Sequence, residues 1–199
     1  MSRTHHRIRS LGAALAAASA LLVAAAPAHA AGASPVTCPA PTGLEQPFDG
    51  DSAKYFLAPG GDFESADITP DWSLSGRAAA TPDTASRGNQ SLRLPAGGSA
   101  TSKEICVGLN YPTLRFYAVA DPGARLTVQA LFRTPDGVSR QLKIADLAPG
   151  NTWAPTRPVY IVANLLALFP NWDGQVSFRF AASGGTVGVD DVWVDPYER

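Results

Sequence analysis

The sequence predicts an all-β domain: an antiparallel β-sandwich, jelly-roll in preference to immunoglobulin-like. Three observations lead there. Short segments alternate apolar and polar side chains with period two, the pattern of half-buried strands. Glycine and proline, 18 and 17 of 199 residues, fall between those segments as turns and exceed the usual share of about 12 %. The one helix-compatible stretch of the domain, Ala163–Phe169, is confined between Pro158 and Pro170 and is too short to change the class.

Residues 1–30 read as a secretory signal peptide. Arg3, Arg7 and Arg9 form a positive n-region, and Leu11 to Ala26 is an unbroken run of apolar and small residues. Ala28-His29-Ala30 then offers small residues at the two positions a signal peptidase reads. The run is shorter than the ~20 residues of a spanning helix, so the expectation is a secreted, extracellular protein with no membrane insertion.

Removing that segment removes all three histidines and the only methionine, and leaves 13 basic and 17 acidic side chains, a formal charge of −4. A chain without histidine and with two cysteines excludes serine–histidine and cysteine–histidine catalysis. It also excludes histidine-ligated zinc and four-thiolate zinc. A −4 chain lacks the basic footprint of a nucleic-acid or membrane-surface binder.

Residues 31–52 read as a Pro/Ala/Gly-rich N-terminal tail with no period of two or 3.6. Residues 53–199 read as a single domain, large enough to bury about 70 % of its unfolded surface. Cys38 and Cys106 are the only cysteines, and an oxidising compartment favours their pairing as a disulfide. Closing that loop is worth roughly 4 kcal/mol in the chain-entropy account and ties the tail to the core.

Within the domain, Leu114, Phe116 and Ala118 alternate with Arg115 and Tyr117. Leu126, Val128, Ala130 and Phe132 alternate with Arg125, Thr127, Gln129 and Arg133, Leu131 being the exception. Val176, Phe178 and Phe180 alternate with Ser177 and Arg179. Further strand segments are Lys54–Leu57, Trp72–Arg77, Ser91–Leu94, Ser102–Val107, Ser139–Ile144, Pro158–Val162 and Val187–Val194. About ten short strands with one wet face each pack as two antiparallel sheets. Many short strands favour the jelly-roll over the immunoglobulin arrangement.

Little chemistry-bearing material remains. A carboxylate-pair hydrolase is formally open, with Asp62, Glu64, Asp190, Asp191 and Asp195 the acids to weigh. The plainer reading makes them turns, strand ends or ligands of a structural ion. The expectation is no enzyme.

Two regions resemble something specific. Gly60-Gly61-Asp62-Phe63-Glu64 is followed by Trp72 and Gly76, then by Gly88-Asn89-Gln90-Ser91-Leu92-Arg93-Leu94. The chain closes on Val187-Gly188-Val189-Asp190-Asp191-Val192-Trp193-Val194. This order resembles the galactose-binding-like jelly-roll superfamily, in particular bacterial carbohydrate-binding modules of the xylan- and glucan-binding kind, over about residues 54–195. The resemblance implies first and last strands side by side with a structural calcium where they meet. Glu64 and Asp190 would give carboxylates, and the carbonyls of Asp62 and of Gly88 or Asn89 would give neutral oxygens, a donor set suited to a hard cation. A salt bridge from Glu64 to an arginine is the alternative.

Sugar recognition needs aromatic rings for pyranose faces and planar polar groups for hydroxyls. The wet face of the alternating strands offers Arg115, Tyr117, Gln129, Arg133 and Arg179. If those strands are neighbours, the residues line one concave face. The loops offer Trp153 and Trp172, the latter within Pro170-Asn171-Trp172-Asp173-Gly174. Trp72 and Trp193 are expected to pack. The sequence is thus read as a secreted, monomeric, non-catalytic module binding a polysaccharide or cell-surface glycan. The alternative is a secreted cell-surface structural or interaction protein that binds no sugar.

Overall fold

The computed structural model describes residues 37–108, 113–134, 136–162 and 174–195. Among them it contains strands and turns and no α-helix. Ala163–Phe169, the expected signal peptide and Trp172 lie outside the described residues. Among the described residues no helix is long and apolar enough to cross a membrane.

The strands are β1 (Phe56–Leu57), β2 (Trp72–Ser75), β3 (Ala79–Pro82), β4 (Gln90–Leu94), β5 (Ser99–Ser102), β6 (Ile105–Val107) and β7 (Thr113–Ala120). They continue as β8 (Arg125–Arg133), β9 (Ser139–Leu147), β10 (Ala154–Pro155), β11 (Val159–Tyr160), β12 (Gly174–Ser183) and β13 (Val187–Asp195). Two antiparallel sheets face each other. The first runs β10-β7-β13-β4-β3, with β1 paired to β13 and β11 to β7; the second runs β2-β5-β12-β8-β9, with β6 paired to β12.

The chain changes sheet repeatedly. β4 leads to β5, β7 to β8 and β12 to β13, each step crossing from one sheet to the other. Long-range partners therefore end up adjacent, as in a jelly-roll. β1 lies beside the last strand, with Phe56 opposite Val194 and Leu57 opposite Trp193.

The inward faces are those the alternation predicted. Leu114, Phe116, Leu126, Val128, Ala130, Val176, Phe178 and Phe180 are fully buried. Aromatic rings bridge the layers: Phe63 to Trp72 at 5.1 Å, Trp72 to Phe180 at 5.8 Å and Phe180 to Phe116 at 5.1 Å. Trp72 donates its indole N–H to the carbonyls of Pro59 (3.1 Å) and Gly60 (2.9 Å), which satisfies the polar end of a buried ring. Buried apolar side chains of both sheets thus make one core, the main source of stability in such a fold.

Several boundaries differ from expectation. The expected strand 102–107 is two strands, β5 and β6, and β5 starts earlier, at Ser99. β3 and β10 were not foreseen. Both end on proline, at Pro82 and Pro155, and both lie at sheet edges, where a missing N–H breaks no ladder. The expected strand 72–77 stops at Ser75 because Gly76 and Arg77 both take positive φ.

Cys38 and Cys106 are bonded, with Cα atoms 5.4 Å apart. Residues 37–52, the described part of the expected tail, pack against the domain. Phe48 is 2 % and Ala53 3 % exposed, and Glu45 and Tyr55 exchange backbone hydrogen bonds of 2.8 Å. Phe48, Ala53, Tyr55 and Trp193 form a second small core on the outer face of the first sheet, with Leu57 and Tyr117 packed against it.

Candidate functional site

The acids singled out in the sequence do gather, at one corner of the first sheet. Between Asp190 and Trp193 the β13–β7 pairing shifts register, and Asp191 takes φ 50. This bulge places two successive carboxylates beside the turn 83–90. Asp190 is 1 % exposed. Its oxygens accept the backbone N–H of Arg87 (3.1 Å) and of Asp191 (2.8 Å). Asp191 pairs with the Arg87 guanidinium at 3.2 Å.

Glu64 sits opposite. Its carboxylate accepts the backbone N–H of Asn89 (2.7 Å) and Gln90 (2.9 Å) and the Asn89 side-chain amide (3.2 Å). These donors hold its pKa below the ordinary carboxylate value, the Gln90 and Asn89 amides contributing most. A Cβ on Gly88 would overlap that carboxylate, so the Glu64 side chain would have to shift to admit one. Burial, followed by the charge of Asp191, pushes the Asp190 carboxyl up to about 7. Asp191 is also raised, by burial first, with Asp62 and Glu64 adding repulsion and Arg87 opposing.

The hydrogen bonding of this set differs from the donor arrangement expected for calcium. Calcium needs six to eight oxygens turned toward one point. Here the carboxylate oxygens of Glu64 and Asp190 are turned to N–H donors, and a guanidinium supplies the positive charge. Among the described residues no three Asp, Glu, His or Cys side chains are grouped to hold a metal. The arginine that answers the acids is Arg87, paired with Asp191 rather than with Glu64.

The sugar-binding residues foreseen on one concave face are not brought together. Arg115 and Tyr117 lie on β7 in the first sheet, while Gln129 and Arg179 lie on β8 and β12 in the second. The two pairs therefore point out of opposite sides of the sandwich. Arg115 and Tyr117 are moreover covered by the 45–55 segment. Arg115 is paired with Asp51 (2.7 Å), donates to the Thr156 carbonyl (2.9 Å) and lies 3.9 Å over the Phe48 ring. Tyr117 stacks on Phe48 at 5.6 Å and donates to the Pro47 carbonyl (3.1 Å). Arg87 lies over its ring at 4.7 Å.

The cause is the Asp121-Pro122-Gly123 turn. It does not fold β8 back onto β7; it carries the chain across to the other sheet. Period two reports which side chains face the core, and the outer faces of two different sheets look alike to it.

Gln129 and Arg179 remain as neighbours. Arg179 is directly opposite Gln129 on β8 and Thr101 on β5. Thr101 is opposite Ser73 on β2, and Gln129 is opposite Lys143 on β9. Ser73, Thr101, Arg179, Gln129 and Lys143 thus form one polar row across five strands, about 19 Å wide at the usual strand spacing. Ser73 and Lys143 are exposed and the other three half-buried. Arg179 is steadied by a hydrogen bond from its guanidinium to Ser99 (3.2 Å). Ser73, Thr101 and Lys143 escaped the sequence reasoning because only pairing register places them in the row. Arg133 projects from the same face. Trp153 is half-buried and lies on the other side of the sandwich, its ring over Gly188 of β13.

No protein-family profile matches the sequence, and no curated protein matches it either. Among solved structures, the chain is similar to the CBM22-1 xylan-binding domain of Paenibacillus barcinonensis Xyn10C, at 14 % identity and TM-score 0.48, covering 68 % of this chain and 90 % of that one. It is similar to a second xylan-binding domain, from carbohydrate-binding family 22, at 16 % identity and TM-score 0.49, covering 75 % and 99 %. A family 11 carbohydrate-binding module of the Clostridium thermocellum cellulase Lic26A-Cel5E matches at 9 % identity and TM-score 0.41, covering 73 % and 96 %. All three are carbohydrate-binding modules.

Proposed function

We propose that this chain is a secreted, non-catalytic module that binds a carbohydrate polymer along the outer face of the β2-β5-β12-β8-β9 sheet. The row Ser73–Thr101–Arg179–Gln129–Lys143 carries the reading. It is an open line of hydroxyl, amide and cationic donors crossing the whole sheet, while the lower part of the opposite face is occupied by the protein's own residues 45–55. A guanidinium and a primary amide side by side give paired hydrogen bonds to adjacent hydroxyls. A line of such groups suits an extended chain better than a single small molecule.

The composition of the same face supports the non-catalytic reading. Asp146 is the one acid on the strands of that sheet, and Arg125 holds it at 2.8 Å. A glycosidase needs two carboxylates across the scissile bond. Secretion is supported by the leader composition and by the Cys38–Cys106 bond, which belongs to an oxidising compartment. At the acidic corner, we infer that Arg87 takes the part an ion would otherwise play.

Affinity electrophoresis of the purified protein through gels containing soluble polysaccharides tests the proposal. Retention by at least one polymer is expected. Arg179→Ala and Gln129→Ala should weaken it by about tenfold or more, the size of one lost charge-assisted pair, with the melting temperature preserved. Retention by none would leave the cell-surface structural reading.

A further inference from the structure

We infer that the polymer this face takes is acidic: a polysaccharide carrying carboxylates at regular intervals, as a polyuronate does. The inference rests on the proposed binding face and adds the ligand's charge. Its basis is how charge is divided between the two sheets.

The strands of the second sheet carry five cations, Arg125, Arg133, Arg140, Lys143 and Arg179, against the single acid Asp146. The strands of the first sheet carry two cations, Arg93 and Arg115, against three acids, Asp190, Asp191 and Asp195. The chain as a whole is acidic, with 17 acidic and 16 basic residues. Arg140 is opposite the core-facing Phe132, so the outer face of the second sheet carries four of these cations against one acid and is basic.

Three of those cations share the outer face without a carboxylate. Arg125 is neutralised by Asp146. Among the described residues, Arg179 bonds to the Ser99 hydroxyl and Arg133 reaches the Gly137 carbonyl at 3.4 Å. Among the described residues, Arg133, Lys143 and Arg179 form no ion pair. Elsewhere in the fold Arg115, Arg87 and Lys103 each meet an aspartate. Cations without a carboxylate on one open sheet give that face a positive potential that attracts a polyanion.

The spacing suits a chain. Lys143 and Arg179 are two strands apart in one row, about 9–10 Å, and Arg133 lies four residues beyond Gln129, about 13 Å along the strand. Carboxylates that recur on one side of an extended polymer, every second sugar, can meet Lys143 and Arg179 at such an interval, while Arg133 adds positive charge to one side of the row. Gln129 and Thr101 between them serve the hydroxyls. A guanidinium pairs a carboxylate through two parallel hydrogen bonds, which a sugar hydroxyl cannot return.

The experiment compares retention of the purified protein on polygalacturonate, alginate and glucuronoxylan with methyl-esterified polygalacturonate, neutral glucan and single-stranded DNA. At least one polyuronate should be retained, and esterification should weaken retention by about tenfold or more. Salt near 1 M, where the Debye length is about 3 Å, should abolish it. Lys143→Glu and Arg133→Glu, both at exposed positions, should each do the same at low salt while the fold, read by circular dichroism, persists. Equal retention of neutral and acidic polymers, insensitive to salt, would overturn the inference and leave the carbohydrate reading standing. Tighter retention of DNA than of any polyuronate, or full affinity in both charge-reversed variants, would also overturn it. Retention of no polymer would remove the carbohydrate reading and this inference with it.

Discussion

Arg115→Ala separates a structural arginine from a ligand contact. Arg115 is 13 % exposed in its side chain and Asp51 28 %. The substitution removes the charge-assisted bond to Asp51, worth about 1.5–3 kcal/mol, and the contact over Phe48, worth about 0.5–1 kcal/mol. It also strands the Thr156 carbonyl. Part of the loss returns when water reaches the half-open site, so about 3 kcal/mol is expected. For a chain of this size that corresponds to a melting temperature lower by roughly 6–12 °C. Urea unfolding, which leaves ion pairs unscreened, gives the free energy directly, and a double-mutant cycle with Asp51→Ala should return a coupling of about 1–3 kcal/mol. Polymer retention below the melting transition should be unchanged. A variant that melts with the wild type but no longer binds polymer would refute the covering role of residues 45–55.

Asp190 gives the fold a pH dependence. Its folded pKa of about 7 lies above the unfolded value of about 3.9. Between the two the native chain keeps a proton the unfolded chain has lost, so stability falls as pH rises through that window, by a few kcal/mol at most. Asp190→Asn should therefore gain in melting temperature over the wild type as pH goes from about 4 to about 8, and parallel curves would exclude this. Chelation with EDTA is expected to leave the melting temperature where it was. A fall of several degrees reversed by calcium would mean that Glu64 and Asp190 exchange their amide donors for an ion. Cys106→Ser should lower stability by about 4 kcal/mol, the loop-closure value for a 68-residue separation; unchanged urea unfolding would show that β1 and the small core hold the segment without the bond.

Much of the acidic corner was legible. The Gly60-to-Glu64 and Gly88-to-Leu94 segments and the closing Asp190-Asp191 pair were singled out, and the fold gathers them at one place. What they do there was not legible. Whether a carboxylate faces a cation or an amide depends on the path of the 83–90 turn, fixed by Gly88 and by hydrogen bonds 25 residues apart in sequence. Arg87 carries no local signal at all. It acquires its place because the β13 bulge turns Asp191 toward it.

The sequence by itself determined the class and the inside of this protein. Side chains on a strand alternate with period two, and burying apolar ones is the dominant favourable term, so Phe116, Val128 and Phe178 had one physical option each. Turn glycines and prolines set where strands end, and a chain with only two cysteines left one possible pairing. Only the tertiary structure decided the outside. An outward residue has no strong energetic demand of its own, and its neighbours depend on which sheet its strand joins. Arg115 and Tyr117 became anchors for residues 45–55 because the 121–123 turn sent β8 across the sandwich. Gln129 and Arg179 became two of the five members of a polar row because β12 settled between β5 and β8.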